Sequence, residues 1–443
     1  MTKKTQIVVV GGGAGGLELV RRLGAKYGRK QHDIILIDRN RSHIWKPLLH
    51  EVAAGTLDAN LDEVGYGGHG ARWGYRYFNG TLEGIDRETR HVITAPMYDD
   101  DGREIIGRHR IRYDYLVLAV GGVSNDFGTP GVREHCLFLE NRNQADEFRQ
   151  KLLNQCLRVS YSNGDGASPD PSATNSARVG VCIVGGGATG VELAAELMNS
   201  ASGLRQYGLE VFDESRMDIT LIEAGPRILP ALPEKLAEAA HAELEDLGVH
   251  VRVGTQVTSV EADGVHTSDR TVVAADLNVW AAGVKGAPTL DGLGGLETNR
   301  NNQFVVRPTL QTTLDDRIYA IGDCCACPQT NSERPVPPRA QAAHQMAKTA
   351  FENLVRAQKQ FSLENFVYRD HGSLVSLSRF STVGSLMGNL IGGRMAIEGR
   401  LARFAYVSLY RMHLLAIHGW VRGSALIVVG HVNQIIRPRL KLH

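Results

Sequence analysis

The chain contains two glycine-rich segments with the same pattern, VVVGGGAGGLE at residues 8–18 and CIVGGGATGVE at residues 182–192. Each places the spacing Gly-x-Gly-x-x-Gly between an apolar run and a helix-forming stretch. That spacing lets a pyrophosphate approach the backbone, and the N-terminus of the following helix stabilises its negative charge. The chemistry that the two turns predict is therefore the binding of two dinucleotides.

In the first turn, we expect each glycine of the pattern to have its own role. Gly11 permits the tight turn, Gly13 admits the pyrophosphate, and Gly16 lets the helix pack closely on the strand. Asp38 ends the next strand, where its carboxylate can accept hydrogen bonds from ribose hydroxyls. A merely structural glycine turn would not need this acidic residue, so the turn, which also includes Ala14 and Gly15, is interpreted as a dinucleotide site.

The second turn repeats the first. Its residues are Gly185, Gly187, Ala188, Thr189 and Gly190, followed by Glu223 in the place of Asp38. Two dinucleotides in one chain indicate a flavin and a nicotinamide, because a hydride can pass from one ring to the other. The carboxylate of Glu223 would repel a 2′-phosphate, which favours NADH over NADPH, while Arg227 keeps NADPH open.

The elements that must position these residues form two βαβ units. Strands are predicted at 7–10, 33–37, 179–184 and 218–223, and helices at 17–26 and 191–199. Further strands are predicted within 115–122, 277–284 and 317–323, and a helix at 233–248. Residues 160–178, rich in Ser, Gly, Asp, Asn and Pro, predict an exposed loop or linker near a domain boundary. The fold class is α/β with two Rossmann-like dinucleotide-binding domains.

Composition narrows the class of protein further. A net charge of +1 gives no overall field that would attract nucleic acid, so no nucleic-acid partner is expected. The apolar run Ile7–Val10 is too short for a secretion signal, and no stretch of about 20 apolar residues predicts a spanning helix. Six cysteines in so long a chain do not form a disulfide framework, which favours a reducing compartment.

Three cysteines cluster directly after Asp323, at Cys324, Cys325 and Cys327. The Cys-x-x-Cys spacing from 324 to 327 is typical of a dithiol redox pair or of half a zinc site. Because no second Cys-x-x-Cys and no clustered histidines accompany it, no metal site is predicted. Buried thiols are favoured, and a disulfide reductase that uses this pair stays open.

Further segments resemble known families. LAVGG (118–122), WAAGV (280–284) and YAIGD (319–323) are similar to segments of flavoproteins with two dinucleotide-binding domains. A closer resemblance is to the bacterial type II NADH:quinone oxidoreductases, the non-pumping NADH dehydrogenases. It rests on KPLLHEVAAGTLD (46–58), VPPRAQAAHQMA (336–347), DHGSLVSLSRFSTVGSLMG (370–388) and RPRLKLH (437–443). The resemblance covers nearly the whole chain. The sequence departs from the family pattern mainly in the insertion at 160–178 and in the local sequence CCAC at 324–327.

The resemblance implies non-covalent FAD at the first turn and NADH at the second. It adds Lys46, Gly121, Asp323, Ala340 and Gln341 to the FAD-binding residues, and Glu192 and Gly283 to the NADH-binding residues. It also implies catalytic roles for Glu192, on the nicotinamide side of the flavin, and for Gln341 and Gln345, near a quinone pocket. Gln341 can hydrogen-bond a quinone carbonyl, and Glu192 can accept a hydrogen bond or carry a proton. The alternatives are an ordinary helix-start glutamate and ordinary helix-face glutamines.

The implied domain organisation is discontinuous. Residues 1–177 and 284–350 would form the FAD-binding domain, 178–283 the NADH-binding domain, and 351–443 a C-terminal membrane-anchoring region.

From Gly399 onward the chain is basic and contains no acidic residue. Its Lys and Arg residues are Arg400, Arg403, Arg411, Arg422, Arg437, Arg439 and Lys441. On one helix, Arg400, Arg411 and His418 would share a face opposite Leu401, Ala405, Leu409, Met412 and Ala416. This pattern predicts peripheral attachment to the cytoplasmic face of the inner membrane, with a core helix or a homodimer contact as the alternative.

The expected activity is that of a respiratory NADH dehydrogenase. It would transfer a hydride from NADH to FAD and then two electrons to a membrane quinone such as ubiquinone, without proton pumping. The alternatives are a soluble NADH-dependent disulfide or ferredoxin reductase, a sulfide:quinone oxidoreductase with Cys156 as a candidate cysteine, and a non-enzymatic NADH sensor. The complete second turn with Glu223 argues against the sulfide enzyme, which needs no nicotinamide.

Overall fold

The computed structural model describes residues 4–161, 178–205, 209, 212, 214–329, 332–370, 372–376, 382–388, 393–398 and 410–436. Most of the predicted loop at 160–178 therefore lies outside the described residues. The chain divides into two compact units. The first unit consists of Met1–Trp45, Asp62–Val123 and Val284–Arg369, and the second of Lys46–Leu61, Ser124–Gly283 and Asp370–His443. The predicted domain boundaries stay a prediction.

The elements are numbered in chain order. The strands are β1 Thr5–Val10, β2 His32–Asp38, β3 Ser42–His43, β4 Val64–Gly65, β5 Arg76–Asn79, β6 Leu82–Asp86, β7 His91–Thr94, β8 Met97–Tyr98, β9 Glu104–Ile106, β10 His109–Arg112, β11 Tyr115–Leu118, β12 Val179–Val184, β13 Met217–Ile222, β14 His250–Arg252, β15 Val257–Glu261, β16 Gly264–Thr267, β17 Val272–Val273, β18 Leu277–Trp280, β19 Phe304–Val305, β20 Ile318–Ala320, β21 Cys325–Ala326, β22 Gly372–Ser376, β23 Thr382–Gly388 and β24 Gly393–Glu398. The helices are α1 Ala14–Gln31, α2 Leu49–Ala53, α3 Ala59–Asp62, α4 Tyr66–Trp73, α5 Val132–His135, α6 Arg142–Tyr161, α7 Ala188–Leu204, α8 Glu234–Asp246, α9 Ala340–Gln358, α10, described over 410–418, and α11 Trp420–Ile436.

The first unit is built on a parallel sheet with the strand order β20-β11-β1-β2-β5. In β1, the four residues Ile7–Val10 are buried, because the strand is paired on both edges and covered on both faces. The helices α1 and α9 pack on each other, and a separate antiparallel sheet has the order β10-β7-β6. The apolar run that predicted the strand thus lies at the centre of the unit.

The second unit repeats this plan. Its parallel sheet has the order β14-β13-β12-β18, with β12 in the position that β1 holds in the first unit. An antiparallel sheet of β15-β16-β17 accompanies it, and β22-β23-β24 form a third sheet. The predicted α/β class and its two Rossmann-like halves are confirmed.

A short excursion of the chain, Lys46–Leu61, belongs to the second unit although the first unit precedes and follows it in sequence. It carries α2, which packs against α6 and α7. The buried residues of α2 are Leu49, His50, Val52 and Ala53. This excursion therefore brings residues of the KPLLHEVAAGTLD segment beside the helix that follows the second glycine turn.

The C-terminal basic segment does not form one continuous helix. Gly419, in the left-handed region at a φ of +75°, separates α10 from α11. In α10, Met412 is 63 % exposed, whereas His413, Leu414 and Ile417 are buried. The predictions for Arg400, Leu401, Arg403, Ala405, Leu409, Arg437, Arg439 and Lys441 lie outside the described residues. Over the described residues, no helix has the length and apolar character needed to cross a bilayer.

Asn353 of α9 gives a test of how the first unit is held together. Its fully buried amide donates to the carbonyls of Thr309 and Glu364 and accepts from the amide of Glu364. Asn353→Leu should lower the free energy of unfolding by about 3 kcal/mol, because buried backbone groups lose their partners. Urea denaturation measures this change. The exposed Asn301→Leu is the control, and an equal effect of both substitutions would contradict the assignment.

Candidate functional site

In the first glycine turn, the fold has no room for a side chain at two glycines, but it has room for one at a third. Gly11 has a φ of +103°, and a Cβ on it would lie 2.2 Å from the carbonyl oxygen of Ala119. A Cβ on Gly16 would lie 1.8 Å from the carbonyl oxygen of Gly11. In contrast, a Cβ on Gly13 would meet no atom of the described residues within 4 Å. Its missing side chain leaves a concave space, as expected where a pyrophosphate approaches the backbone.

The helix α1 begins beside this space. Gly13 is its N-cap residue, and no side chain of the described residues caps the helix there. The first amides of a helix have no intrahelical partner and lie at the positive end of its dipole. These residues therefore fit a bound pyrophosphate.

Asp38 has a structural contact that the sequence pattern does not predict. Its Oδ2 accepts a hydrogen bond from the amide of Gly12 at 2.6 Å, and its Oδ1 accepts one from the amide of Asn40 at 2.7 Å. Burial raises the pKa of Asp38, while these two hydrogen bonds oppose that shift. A carboxylate offers about four acceptor positions, so Asp38 can hold the turn and also accept ribose hydroxyls.

The second turn has the same geometry. Gly185 has a φ of +116°, and a Cβ on Gly190 would lie 2.0 Å from the carbonyl oxygen of Gly185. A Cβ on Gly187, the N-cap residue of α7, would again meet no described atom within 4 Å. Glu223 accepts from the amide of Gly186 at 2.7 Å and from the amide of Gly225 at 2.7 Å. The two turns therefore share three features: a first glycine with a positive φ, open space at the N-cap glycine, and a carboxylate that accepts a hydrogen bond from the turn.

Arg227 is the residue that left NADPH possible as the cofactor. Its side chain is directed toward backbone carbonyls. Its guanidinium donates to the carbonyl of Leu232 at 2.9 Å and to that of Pro230 at 3.3 Å. A 2′-phosphate would have to compete with these bonds and with the charge of Glu223. The geometry supports the preference for NADH.

The other residues predicted to bind FAD lie in both units. Gly121, at a φ of +75°, follows β11, and Asp323 lies in the 3-10 turn after β20. A Cβ on Gly122 would lie 3.2 Å from the Cβ of Asp323, so the ends of these two strands meet near the first turn. Lys46 begins a 3-10 turn in the second unit.

The helix α9 carries the remaining predicted residues and is fixed to α1. It begins at Ala340 with no side-chain cap from the described residues, and a Cβ on Gly15 would lie 3.0 Å from the carbonyl oxygen of Ala343. His344 hydrogen-bonds the buried Glu18 of α1 at 2.5 Å. Burial alone would raise the pKa of Glu18, but its interactions with His344 and Arg22 together lower the pKa by more. The pKa is therefore below its ordinary value, which favours the carboxylate. These contacts hold the start of α9 against the first turn.

Gln341 and Gln345 are half-buried and lie one turn apart on α9, so they share a face. The amide of Gln345 donates to the carbonyl of Arg369 at 2.8 Å and accepts from its amide at 3.0 Å. An amide group has a second N–H and a second lone pair, which leaves Gln345 able to contact a ligand. The catalytic roles of both glutamines stay predictions.

Glu192 is buried in the second turn of α7, with 6 % of its surface exposed. Its Oε2 lies 3.5 Å from Nδ1 of His50, which is 4 % exposed. Burial lowers the pKa of His50 to about 4, and a hydrogen bond to the backbone of Pro47 only partly opposes this. Sequence reasoning missed His50, although a histidine between the apolar residues of the KPLLHEVAAG segment was a visible signal.

The cysteine cluster lacks the exposure and the low pKa of reactive thiols. All six cysteines of the chain are free and buried, and those at 324, 325 and 327 are at most 2 % exposed. Burial raises the pKa of Cys324 to about 12, so its thiol is protonated at neutral pH. The thiolate is the reactive form, and Cys156 is likewise buried within α6. The interpretation as buried thiols fits this geometry, and the disulfide-reductase alternative loses its support.

Comparisons with known proteins agree with this geometry. The pyridine nucleotide-disulphide oxidoreductase family matches residues 5–347. The chain is 46 % identical over 442 residues to a type II NADH:quinone oxidoreductase of Haemophilus influenzae, covering 99 % of both chains. It is 30 % identical to that of Staphylococcus aureus strain N315, covering 89 % of this chain and 92 % of the relative. The fold matches NDH2 of Plasmodium falciparum in complex with NADH, with a TM-score of 0.80 and 18 % identity over 99 % of this chain and 100 % of that one.

Substitutions in the two turns should separate binding from folding. Gly13→Ala should keep the stability of the flavin-free protein within about 0.5 kcal/mol but lower its flavin content, because the new methyl group enters open space. Gly187→Ala should keep the flavin and raise the KM for NADH. Gly16→Ala should destabilise the fold itself, because its Cβ collides with backbone. Flavin absorbance, NADH kinetics and urea denaturation measure these effects, and full flavin retention by Gly13→Ala would contradict the assignment.

Proposed function

Since the chain belongs to the pyridine nucleotide-disulphide oxidoreductase family and, within it, to the type II NADH:quinone oxidoreductases, we propose that it oxidises NADH and reduces a quinone through FAD. The observation that carries this proposal is the duplicated turn, with open space at Gly13 and at Gly187. When bound, FAD would supply a hydride acceptor for NADH and, once reduced, a two-electron donor for a quinone that also takes up two protons.

The surroundings of the turns support FAD at the first and NADH at the second. Gly15 of the first turn is buried against Ala343 of α9. At the corresponding place in the second turn, Thr189 and its neighbour Ala188 are exposed. A cofactor that stays bound fits the turn against which α9 packs, and a substrate that must enter and leave at every turnover fits the turn with exposed Ala188 and Thr189.

On this assignment, the residues of the chain orient the reactants and adjust charge. Asp38 and Glu223 hold the ribose ends, and the amides at the starts of α1 and α7 hold the phosphates. Glu192 accepts a hydrogen bond from the nicotinamide side and can carry a proton. Gln341 donates to a quinone carbonyl from the first turn of α9, and Gln345 holds the segment at Arg369 while offering its second N–H.

Two substitutions should affect different half-reactions. Glu192→Gln should slow the bleaching of oxidised flavin by NADH about tenfold, because an amide cannot carry a proton and accepts a hydrogen bond that is weaker than that of a carboxylate by about 1.4 kcal/mol. Gln341→Leu should slow the reoxidation of reduced flavin by a short-chain quinone. Anaerobic stopped-flow absorbance measures each step separately. If either substitution slowed both half-reactions equally, the division of roles would be wrong.

We also propose that the C-terminal helices attach the protein to a membrane surface. In α11, an apolar stripe is presented at Val421, Val428 and Val432, which are 86 %, 63 % and 45 % exposed, and Trp420 at its start is 79 % exposed. The described basic residues of this segment are Arg411 in α10 and Arg422 in α11, and no acidic residue follows Gly399 in the sequence. An isoprenoid quinone dissolves in the bilayer, so an enzyme that reduces it must reach the interface. Anionic lipids of the cytoplasmic leaflet attract basic segments, which supports the cytoplasmic face.

Vesicle binding tests the membrane proposal. Replacing both Trp420 and Val421 with Ser should weaken co-sedimentation with anionic vesicles about tenfold or more, because each buried apolar side chain contributes about 1.5 kcal/mol or more. Reduction of a water-soluble quinone should be unchanged. If vesicle binding persisted while the double variant changed the protein from dimer to monomer in sedimentation, the exposed stripe would be a homodimer contact instead.

A further inference from the structure

His50 is a buried imidazole in the first turn of α2, and the family assignment gives it no task. Its ring is 4 % exposed, and it lies among the apolar residues Leu49, Val52 and Ala53 of the same helix. A polar ring of this size in an apolar setting costs free energy unless its nitrogens have partners. The residues that surround its two nitrogens therefore indicate why it is there.

Both ring nitrogens of His50 face carboxylates. Nδ1 lies 3.5 Å from Oε2 of Glu192 on α7, and Nε2 lies 3.9 Å from Oε1 of Glu51 on its own helix. The ring also hydrogen-bonds the backbone of Pro47, in the preceding turn. The contact with Glu192 joins two segments far apart in sequence, and it places the ring against a carboxyl group that is itself buried.

The contact differs from an ordinary salt bridge. Burial lowers the pKa of His50 to about 4, so the imidazole is neutral at neutral pH. A neutral ring can contact the carboxyl group without forming an ion pair, whereas a lysine or arginine at this place would form one. Oxidation of NADH leaves a positive charge on the nicotinamide, and a fixed negative group nearby stabilises charge that develops in the transition state.

We propose that His50 is a positioning residue that holds the buried carboxyl group of Glu192 in the orientation used for hydride transfer from NADH. This inference rests on the proposed function, because it assigns Glu192 to the nicotinamide side. The role of the segment Lys46–Leu61 in the second unit would then be to position the imidazole of His50 beside α7. Packing of α2 against α6 and α7 holds that imidazole in place.

A double-mutant cycle in the full-length, FAD-loaded enzyme tests the proposal. His50→Leu should slow flavin bleaching by NADH about tenfold and leave quinone reoxidation unchanged. In a Glu192→Gln background, the same substitution should change the bleaching rate by less than about twofold, because the partner is already altered. A Leu244→Ala variant on α8, also fully buried, serves as a control that lowers the thermal midpoint without slowing bleaching.

Two conservative substitutions keep the test decisive if His50→Leu fails to fold. The amide nitrogen of an asparagine can lie near the position of Nδ1, and that of a glutamine near the position of Nε2. We expect His50→Asn to retain at least half of the bleaching rate and His50→Gln to lose most of it. Equal rates for the two variants would overturn the proposal.

The cycle also separates failure of this inference from failure of the proposed function. If the unaltered enzyme were not bleached by NADH, the proposed function would be wrong. If it were bleached, but His50→Leu slowed bleaching equally with Glu192 and with Gln at position 192, only the role of His50 would be overturned.

Discussion

Each glycine-rich turn depends on one hydrogen bond. The donor is the amide of the glycine between the first two glycines of the Gly-x-Gly-x-x-Gly pattern, and the acceptor is the carboxylate at the end of the following strand. Gly12 donates to Asp38 at 2.6 Å, and Gly186 donates to Glu223 at 2.7 Å. A hydrogen bond to a charged group contributes about 1.5 to 3 kcal/mol, and here it ties the turn to the neighbouring strand of the sheet. The same carboxylate can also accept ribose hydroxyls. On the proposed assignment, the carboxylate that closes the turn is also the group that recognises the dinucleotide, and this arrangement occurs twice.

Because the two turns are equivalent, their different tasks must come from what surrounds them. In the first unit, α9 lies against the turn at Ala343 and is fixed to α1 by the bond between His344 and Glu18. In the second unit, Ala188 and Thr189 are exposed, and α2 places His50 beside Glu192 instead. The duplication thus supplies two similar turns, and on the proposed assignment other segments of each unit distinguish the site of FAD from the site of NADH.

The sequence predicts features that depend on short spacing. The tight glycine turns, the central strands and the acidic strand ends follow from residues close together in the chain, and the structure contains them. The contact of His50 with Glu192 and that of Gln345 with Arg369 were not predicted, because they depend on how separate segments pack. The helical pattern of the C-terminal segment did not reveal the break at Gly419, since a periodic sequence continues through a single left-handed residue.

A crystal structure of the enzyme with FAD and NAD⁺ would show whether the two turns hold different dinucleotides. We expect the FAD pyrophosphate at the amides that follow Gly13 and the NAD⁺ pyrophosphate at those that follow Gly187. We also expect ribose hydroxyls within hydrogen-bond distance of Asp38 and Glu223. FAD at the second turn, or a second turn left empty at saturating NAD⁺, would contradict this assignment.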